Sequence, residues 1–228
     1  MRANSQFVTG RRLFLGSATA TALVALSGCA TMGGFSLTDA VRRLLQLSAN
    51  RAFDRLLQTD GFWDDQVARL ALPDQLANGR GDVLARILTG PMMKDRMARQ
   101  FNRLAARAAR NAAPAVAEAV RGIGIRNALA LLHGRPDEAT TYLRGEMAGR
   151  LIDVMLPEFG DAMRVAGDPL MGEVMGALTG VNTAALAQDL AVKADDAIWR
   201  AIGREEAGIR ADPRSTNDPV LIGALSVP

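Results

Sequence analysis

The sequence has a single cysteine, Cys29, a single histidine, His133, and only 4% aromatic residues. One cysteine excludes an intramolecular disulfide, and one histidine excludes histidine-rich zinc sites. His133 follows an apolar stretch and precedes a glycine, so we expect it at the C-terminus of a helix rather than as a catalytic base. The scarcity of aromatics within an apolar fraction of 49% favours helices over sheet.

The net charge of +3 does not indicate nucleic-acid binding. Arg2, Arg11 and Arg12 account for the excess, and the chain from residue 29 onward has 24 basic and 24 acidic side chains. Residues 29–135 carry 16 basic and 9 acidic side chains, whereas residues 136–228 carry 8 and 15. Either the two halves attract each other within one fold, or a basic face is directed at anionic lipid or a partner.

The N-terminus is typical of an export signal. Arg11 and Arg12 precede an apolar run over 16–26, which is too short to span a membrane, since a span needs roughly 20 residues. The sequence therefore predicts a cleaved signal peptide over 1–28. The paired arginines resemble a twin-arginine signal, and the Sec route is the alternative.

A lipid-attachment site is predicted directly after this run. Leu26-Ser27-Gly28-Cys29 resembles the bacterial lipobox, in which the thiol receives diacylglycerol and the new N-terminus receives an acyl chain such as palmitate. Ala30, in place of aspartate, favours the outer membrane, with the body facing the periplasm. Residues 29–35 are expected to be a lipidated tether.

Helical periodicity covers the rest of the chain. A capping box at 36–39 opens a helix that extends to about Gln58, Pro114 separates two helices, and Pro157 bends a helix over 138–165. Thr183 is predicted to cap the last long helix, which extends to about Arg210. The other expected helices cover 74–89, 92–111, 114–122, 125–133 and 169–178. The prediction is an all-α fold, a single irregular multi-helix bundle over 36–213, with a C-terminal tail over 214–228.

Four blocks of residues, in order, resemble the DUF4197 family of bacterial envelope proteins. They are Thr59-Asp60-Gly61-Phe62 with Arg69, Leu72 and Pro73; Phe101-Asn102-Arg103 with Ala113-Pro114; Asp137, Ala139, Thr140, Tyr142 and Arg144; and Glu205-Glu206, Ile209-Arg210 and Asp212-Pro213. The resemblance implies an all-α exported protein and no particular activity. Ala71 and Leu143 depart from the residues usual in the family, and the lipobox differs from the plain secretory signal of many relatives.

The sequence predicts no enzyme, cofactor or metal site. It contains no Gly-x-Ser-x-Gly elbow and no Walker loop. The adjacent acids Asp195-Asp196 and Glu205-Glu206 point about 100° apart on a helix, so neither pair should converge as in a glycosidase. A hydrolase that uses carboxylates alone remains a third alternative. The acids at 60, 64 and 65 are expected to form an ordinary turn rather than a calcium loop.

The charged residues of the family blocks are expected to form structural polar pairs. Glu206 and Arg210 are four residues apart, in the favoured order for a helical ion pair. Asp137 is expected to be the N-cap of the following helix, with Tyr142 and Arg144 in the turns that follow. Together with Glu205, these residues form either structural pairs or a polar ligand site.

Five arginines recur at steps of three and four residues, which places them on one helical face. They are Arg96, Arg99, Arg103, Arg107 and Arg110. We call them the arginine row. Their side chains either pair with acids of the second half or contact phosphate headgroups or a partner.

Eight methionines follow residue 90, and they either fill the core or line a cavity for a lipid tail. Together these features predict a non-catalytic, lipid-anchored envelope lipoprotein that binds an amphipathic lipid or anionic headgroups. The alternative is a structural or adaptor lipoprotein that acts only through protein contacts.

Overall fold

The structure, a computed structural model, describes residues 31–32, 35–72, 90–164 and 182–226. Within these ranges the protein is an all-α bundle, as predicted, with one two-stranded antiparallel pair before the first helix. The strands are β1 (Thr31–Met32) and β2 (Phe35–Ser36). The helices are α1 (Leu37–Leu56), α2 (Gly61–Asp64), α3 (Pro91–Gly122), α4 (Ala128–His133), α5 (Glu138–Met147), α6 (Arg150–Arg164), α7 (Thr183–Ala211), a 3₁₀ turn (Pro213–Thr216) and α8 (Pro219–Ser226).

The start of α1 follows its predicted capping box, because the Ser36 side chain accepts a hydrogen bond of 3.0 Å from the backbone N–H of Asp39. Its apolar residues at intervals of three and four are buried against α3 and α7. After α1, Gly61 is required by close packing, since a Cβ there would lie 2.3 Å from the carbonyl oxygen of Arg55.

Pro114 does not separate two helices, in contrast to the prediction. It lies inside α3, which continues for 32 residues. A proline removes one hydrogen bond, here to the carbonyl of Arg110, and both residues are exposed, so water can replace the lost donor. Packing of the apolar face of α3 against α1 and α6 keeps the helix continuous.

The predicted helix over 138–165 is instead two helices. Ala148 and Gly149 both adopt positive φ angles, 46° and 83°, and this left-handed turn separates α5 from α6. Pro157 lies within α6 without ending it. Glycine tolerates the left-handed region, which explains the position of the break.

The cap of α7 also differs from the prediction. The side chain of Asn182, one residue before Thr183, accepts hydrogen bonds from the backbone N–H groups of Ala184 and Ala185. Thr183 is therefore the first helical residue. The predicted apolar face of α7 is buried, and α7 packs against α1, α3, α5 and α6, which makes it the central helix of the bundle.

The expected tail after residue 213 is part of the bundle. Val220, Leu221 and Ala224 of α8 are buried, and α8 packs against α1 and α4. No helix in the described part of the chain is long and apolar enough to cross a membrane. The expected helices over 74–89 and 169–178, the signal over 1–28 with Arg11 and Arg12, and Cys29 lie outside the described residues.

Candidate functional site

The polar residues of the family blocks gather where α5 packs on α7. Glu206 of α7 is completely buried, and its carboxylate accepts hydrogen bonds from the backbone N–H groups of Ala139 (3.0 Å) and Thr140 (2.7 Å). The Thr140 hydroxyl donates a third bond of 2.6 Å. Glu206 therefore caps the N-terminus of α5 from a different helix, where a negative charge is favourable.

Asp137 was expected to provide that cap. It precedes α5, but its side chain makes no capping hydrogen bond. Because the amides of the first turn already donate to Glu206, Asp137 is left exposed at the edge of the contact between α5 and α7. A cap that comes from another helix has no local sequence signature.

Arg210 completes this network. Its guanidinium lies 2.5 Å from the Glu206 carboxylate, which is the helical pair that the sequence predicts. It also donates to the backbone carbonyls of Leu131, at 2.5 Å, and of Leu132, in the last turn of α4. The ion pair thus places a negative charge at the start of α5 and a positive charge at the end of α4, which complements both helix dipoles.

Tyr142 and Glu205 form separate contacts. The Tyr142 hydroxyl donates to the carbonyl of Gly124 at 2.5 Å, which ties α5 to the segment after α3. The Glu205 carboxylate lies 2.5 Å from the guanidinium of Arg55 in α1. Each contact joins two helices or segments of the bundle.

Arg144 joins α5 to two adjacent acids of α7. It lies 2.7 Å from Asp195 and also bonds Asp196, so these neighbouring carboxylates meet at one guanidinium although they leave the helix in different directions. The indole N–H of Trp199 donates 2.8 Å to Asp195. Burial raises the pKa of Asp195, and the bonds from Arg144 and Trp199 oppose that rise.

Arg204 holds a third buried acid. It makes a bidentate pair with Asp65, with N–O distances of 2.7 and 2.5 Å. This pairing, helped by the backbone N–H groups of Val67 and Ala68, lowers the pKa of Asp65 to about 2, against the opposing effect of burial. Asp65 therefore stays ionised and holds the segment after α2 on α7.

A groove of about 390 Å³ opens between α5, α7 and the segment after α2. Three guanidinium groups line it, those of Arg144, Arg200 and Arg204, and we call it the arginine groove. Arg200 donates to the carbonyl of Val67 at 3.2 Å, and no carboxylate within the described ranges forms an ion pair with it. The remaining lining residues are Val67, Pro136, Asp137, Thr140, Thr141, Trp199, Gly203 and Ala207.

Of the groove residues, Asp137, Thr140 and Arg144 belong to the blocks that resemble the family. Arg200 and Arg204 are not among the predicted site residues, although their spacing of four residues places both on one face of a helix. Glu206 and Arg210, four residues apart near the same end of the helix, lie instead in the buried network. Spacing alone does not distinguish a buried pair from two groove-lining arginines.

A comparison with protein families decides the identity of the chain. The model of a family described as a protein of unknown function, DUF4197, matches residues 31–224. The chain belongs to the DUF4197 family. The match extends to residue 224 and so includes most of α8, in agreement with the packing of that helix. No curated protein and no solved structure matches this chain.

The arginine row of this DUF4197 protein lies on the exposed side of α3. Three of its members form ion pairs: Arg99 with Asp95 (3.3 Å), Arg103 with Asp60 (3.0 Å) and Arg107 with Glu158 (3.1 Å). Only the last partner belongs to the acidic second half. Arg96 and Arg110 form no ion pair within the described residues, so the row combines paired and unpaired cations.

Trp63 contacts the row from α2. The guanidinium carbons of Arg69 and Arg99 lie 4.5 and 4.4 Å from the centre of its ring system, within the range of cation–π contacts. These contacts hold Arg99 in a defined position on the exposed surface. Trp63 is not among the predicted site residues, because its two partners come from different segments of the chain and no local pattern links them.

No group of three metal-binding side chains occurs among the residues that the structure describes. Asp60 and Asp65 contact arginines rather than a common centre.

His133 ends α4, as predicted, with its Nδ1 atom 3.2 Å from the carbonyl oxygen of Leu129. Four methionines are buried in the core: Met97, Met147, Met155 and Met163. Met171 and Met175 lie outside the described ranges.

Proposed function

We propose that this DUF4197 protein is a non-catalytic lipoprotein of the outer membrane that binds the phosphate of anionic lipid headgroups in the arginine groove. The observation that carries the proposal is that three arginines line one groove of about 390 Å³ and that one of them, Arg200, forms no ion pair within the described residues. This volume lies within the range of about 300–1,000 Å³ of small-molecule sites. Arginine suits the ligand because its planar fork binds phosphate through two parallel hydrogen bonds.

Arg200 is the principal cation in this proposal. Asp195 and Asp196 neutralise Arg144, and Asp65 neutralises Arg204. These ion pairs also hold both guanidinium groups in place. Arg200 adds a positive charge that no acid of the described chain pairs with, and its bond to Val67 positions it at the groove. Rigid placement of charged donors before binding reduces the entropy that binding costs.

The buried methionines of the described chain favour recognition of the headgroup rather than the lipid tail. Met97, Met147 and Met155 pack in the core with other apolar side chains. They therefore act as core filling, which is one of the two roles that the sequence allows.

Membrane attachment rests on the lipobox at residues 26–29. A Cys29→Ser variant lacks the thiol that receives diacylglycerol, so we expect it to lose incorporation of labelled fatty acid and to leave the membrane fraction. Unchanged fractionation of this variant would contradict the anchor.

Binding is tested with the purified, acylated protein in detergent, titrated with glycerol phosphate in a calorimeter. We expect Arg200→Gln to weaken binding by roughly tenfold or more, the usual loss for a charge-assisted hydrogen bond. Arg110→Gln is the matched control because it removes one exposed arginine outside the groove. Equal losses in both variants, or no binding to the unmodified protein, would overturn the proposal.

A second titration separates the two sources of phosphate. Inorganic phosphate that binds as tightly as glycerol phosphate would identify a free anion as the ligand. Tighter binding of vesicles that contain phosphatidylglycerol than of phosphatidylcholine vesicles, lost in Arg200→Gln, would identify the lipid.

The adaptor alternative is favoured by one observation at the start of α3. Met92 is 81% exposed, and with Arg96 it lines a small open pocket of about 250 Å³. An exposed large apolar side chain beside an unpaired cation suits a protein contact. Replacement of the arginine row by glutamate should then abolish a specific crosslink in cells, without any effect on phosphate binding.

A further inference from the structure

The first strand pair keeps the predicted lipid anchor close to the start of α1. Thr31 of β1 pairs with Ser36 of β2, and paired residues lie about 5 Å apart. Cys29 is only two residues before Thr31, and two residues span at most about 7 Å. An acylated Cys29 would therefore hold the start of α1 within roughly 12 Å of the lipid anchor.

Two short helices share this end of the bundle with the start of α1. Leu37 and Ala40 of α1 line a small cleft together with Val220 and Ala224 of α8, and α4 packs against both helices. The end of α3 is also here, since Arg42 donates 3.3 Å to the carbonyl oxygen of the residue that follows α3. We call this surface the tether end.

The tether end exposes apolar side chains. Leu129 of α4 is 56% exposed, and it is one of three large hydrophobic residues that are exposed within the described chain. Leu37, Ile222 and Leu225 are half-buried at the same end. A single exposed leucine needs no explanation, but several partly exposed apolar residues beside a membrane anchor indicate a contact surface.

Basic side chains surround these residues. Arg42, Arg43, Arg121 and Arg126 lie on or next to the tether end, and Asp39 and Asp218 are the acids that pair with the first two. Arg121 and Arg126 are exposed and form no ion pair within the described residues, so two unpaired guanidinium groups lie beside an apolar centre. This combination matches the surface of a bilayer that contains anionic phospholipid.

We propose that the tether end docks on an anionic phospholipid bilayer, with Leu129 inserted at the interface and the arginines on the phosphates. The proposal rests on the lipid anchor of the proposed function, but not on the arginine groove. It gives the protein a fixed orientation, in which the start of α3 points away from the membrane. α1 and α3 are antiparallel, as the contacts of Arg42 with Ile123 and of Asp60 with Arg103 show.

Fluorescence quenching tests this orientation in the acylated full chain. Since acylation blocks Cys29, a cysteine introduced by Leu129→Cys is the only free thiol, and it carries a nitrobenzoxadiazole probe. Met92→Cys is the matched control, because Met92 is also apolar and exposed but lies at the opposite end of α3. The proteins are reconstituted in vesicles of phosphatidylglycerol and phosphatidylcholine, with or without lipids that carry a nitroxide quencher.

We expect at least twofold stronger quenching at position 129 than at position 92, together with a blue-shifted emission at 129. Equal quenching at the two positions, stronger quenching at 92, or no quenching at either would overturn the proposal. Vesicle flotation is measured in parallel. If the protein floats with the vesicles but shows no quenching at position 129, docking is contradicted and the anchor is not. If the protein does not float, the anchor itself is contradicted. Binding of glycerol phosphate tests the arginine groove independently of the anchor and of the docking of the tether end.

Discussion

Glu206 and Arg210 lie one turn apart on α7, and their side chains meet at 2.5 Å between the N-terminus of α5 and the C-terminus of α4. One ion pair thereby joins three helices. Glu206 is completely buried and the Arg210 side chain is only 11% exposed, so each charge is stabilised by the other and by the backbone groups around it rather than by water.

Removal of the charge on Glu206 should be strongly destabilising. Glu206→Gln leaves Arg210 without its carboxylate inside the bundle, and breaking a buried pair typically costs about 3–5 kcal/mol. Chemical denaturation measures the loss of unfolding free energy. Glu118→Gln is the control, because the side chains of Glu118 and its partner Arg150 are 64% and 57% exposed, and such exposed pairs contribute less than about 1 kcal/mol. Similar losses in the two variants would refute the structural role of the network.

Asp65 should give the protein a pH-dependent stability. Its pKa falls from 3.8 to about 2 in the folded state, so its contribution is fully present above about pH 4 and is lost as the pH falls through 2. Asp65→Asn should therefore cost about 2 kcal/mol at pH 7 and very little near pH 2. Denaturation curves at several pH values check this. The neighbouring exposed residue provides the control variant, Asp64→Asn, which should change stability little. A difference in unfolding free energy between Asp65→Asn and the unmodified protein that stays the same at every pH would contradict the prediction.

Two neighbouring residues at the start of α7, Asn182 and Thr183, should differ in their contribution to stability. Asn182→Ala removes the side chain that caps the helix, and it should lower the unfolding free energy by about 1 kcal/mol. Thr183→Ala should change it by less than half of that amount, since an exposed first helical residue supplies no cap. Thermal unfolding of both variants compares them. A larger loss of unfolding free energy in Thr183→Ala than in Asn182→Ala would show that Thr183 caps the helix, as the sequence predicts.

Gly203 provides a steric test of the arginine groove. A Cβ at this position would lie 3.2 Å from the Cβ of Asp137, so Gly203→Val should fill the groove, separate α5 from α7 and weaken binding of glycerol phosphate at least tenfold. Overpacking of this kind costs about 1–3 kcal/mol of stability. Gly208→Val, on the same helix with open space around it, should retain binding. Retained binding in Gly203→Val, measured by calorimetry, would place the ligand elsewhere.

Relations within one helix could be predicted from the sequence. The apolar face of α1, the Ser36 cap, the pair of Glu206 with Arg210 and the place of His133 at the end of α4 all depend on positions three or four residues apart. Such neighbours meet in any regular helix, whatever surrounds it.

Relations between helices required the tertiary structure. The capping of α5 by Glu206 joins residues more than sixty positions apart, and the arginine groove takes its cations from α5 and α7. The sequence predicts that Pro114 ends a helix, but packing of the apolar face of α3 against α1 and α6 outweighs the loss of one hydrogen bond. The sequence determines which faces are apolar and where caps can form. How the helices pack decides which polar groups meet, because that depends on the fit of whole surfaces.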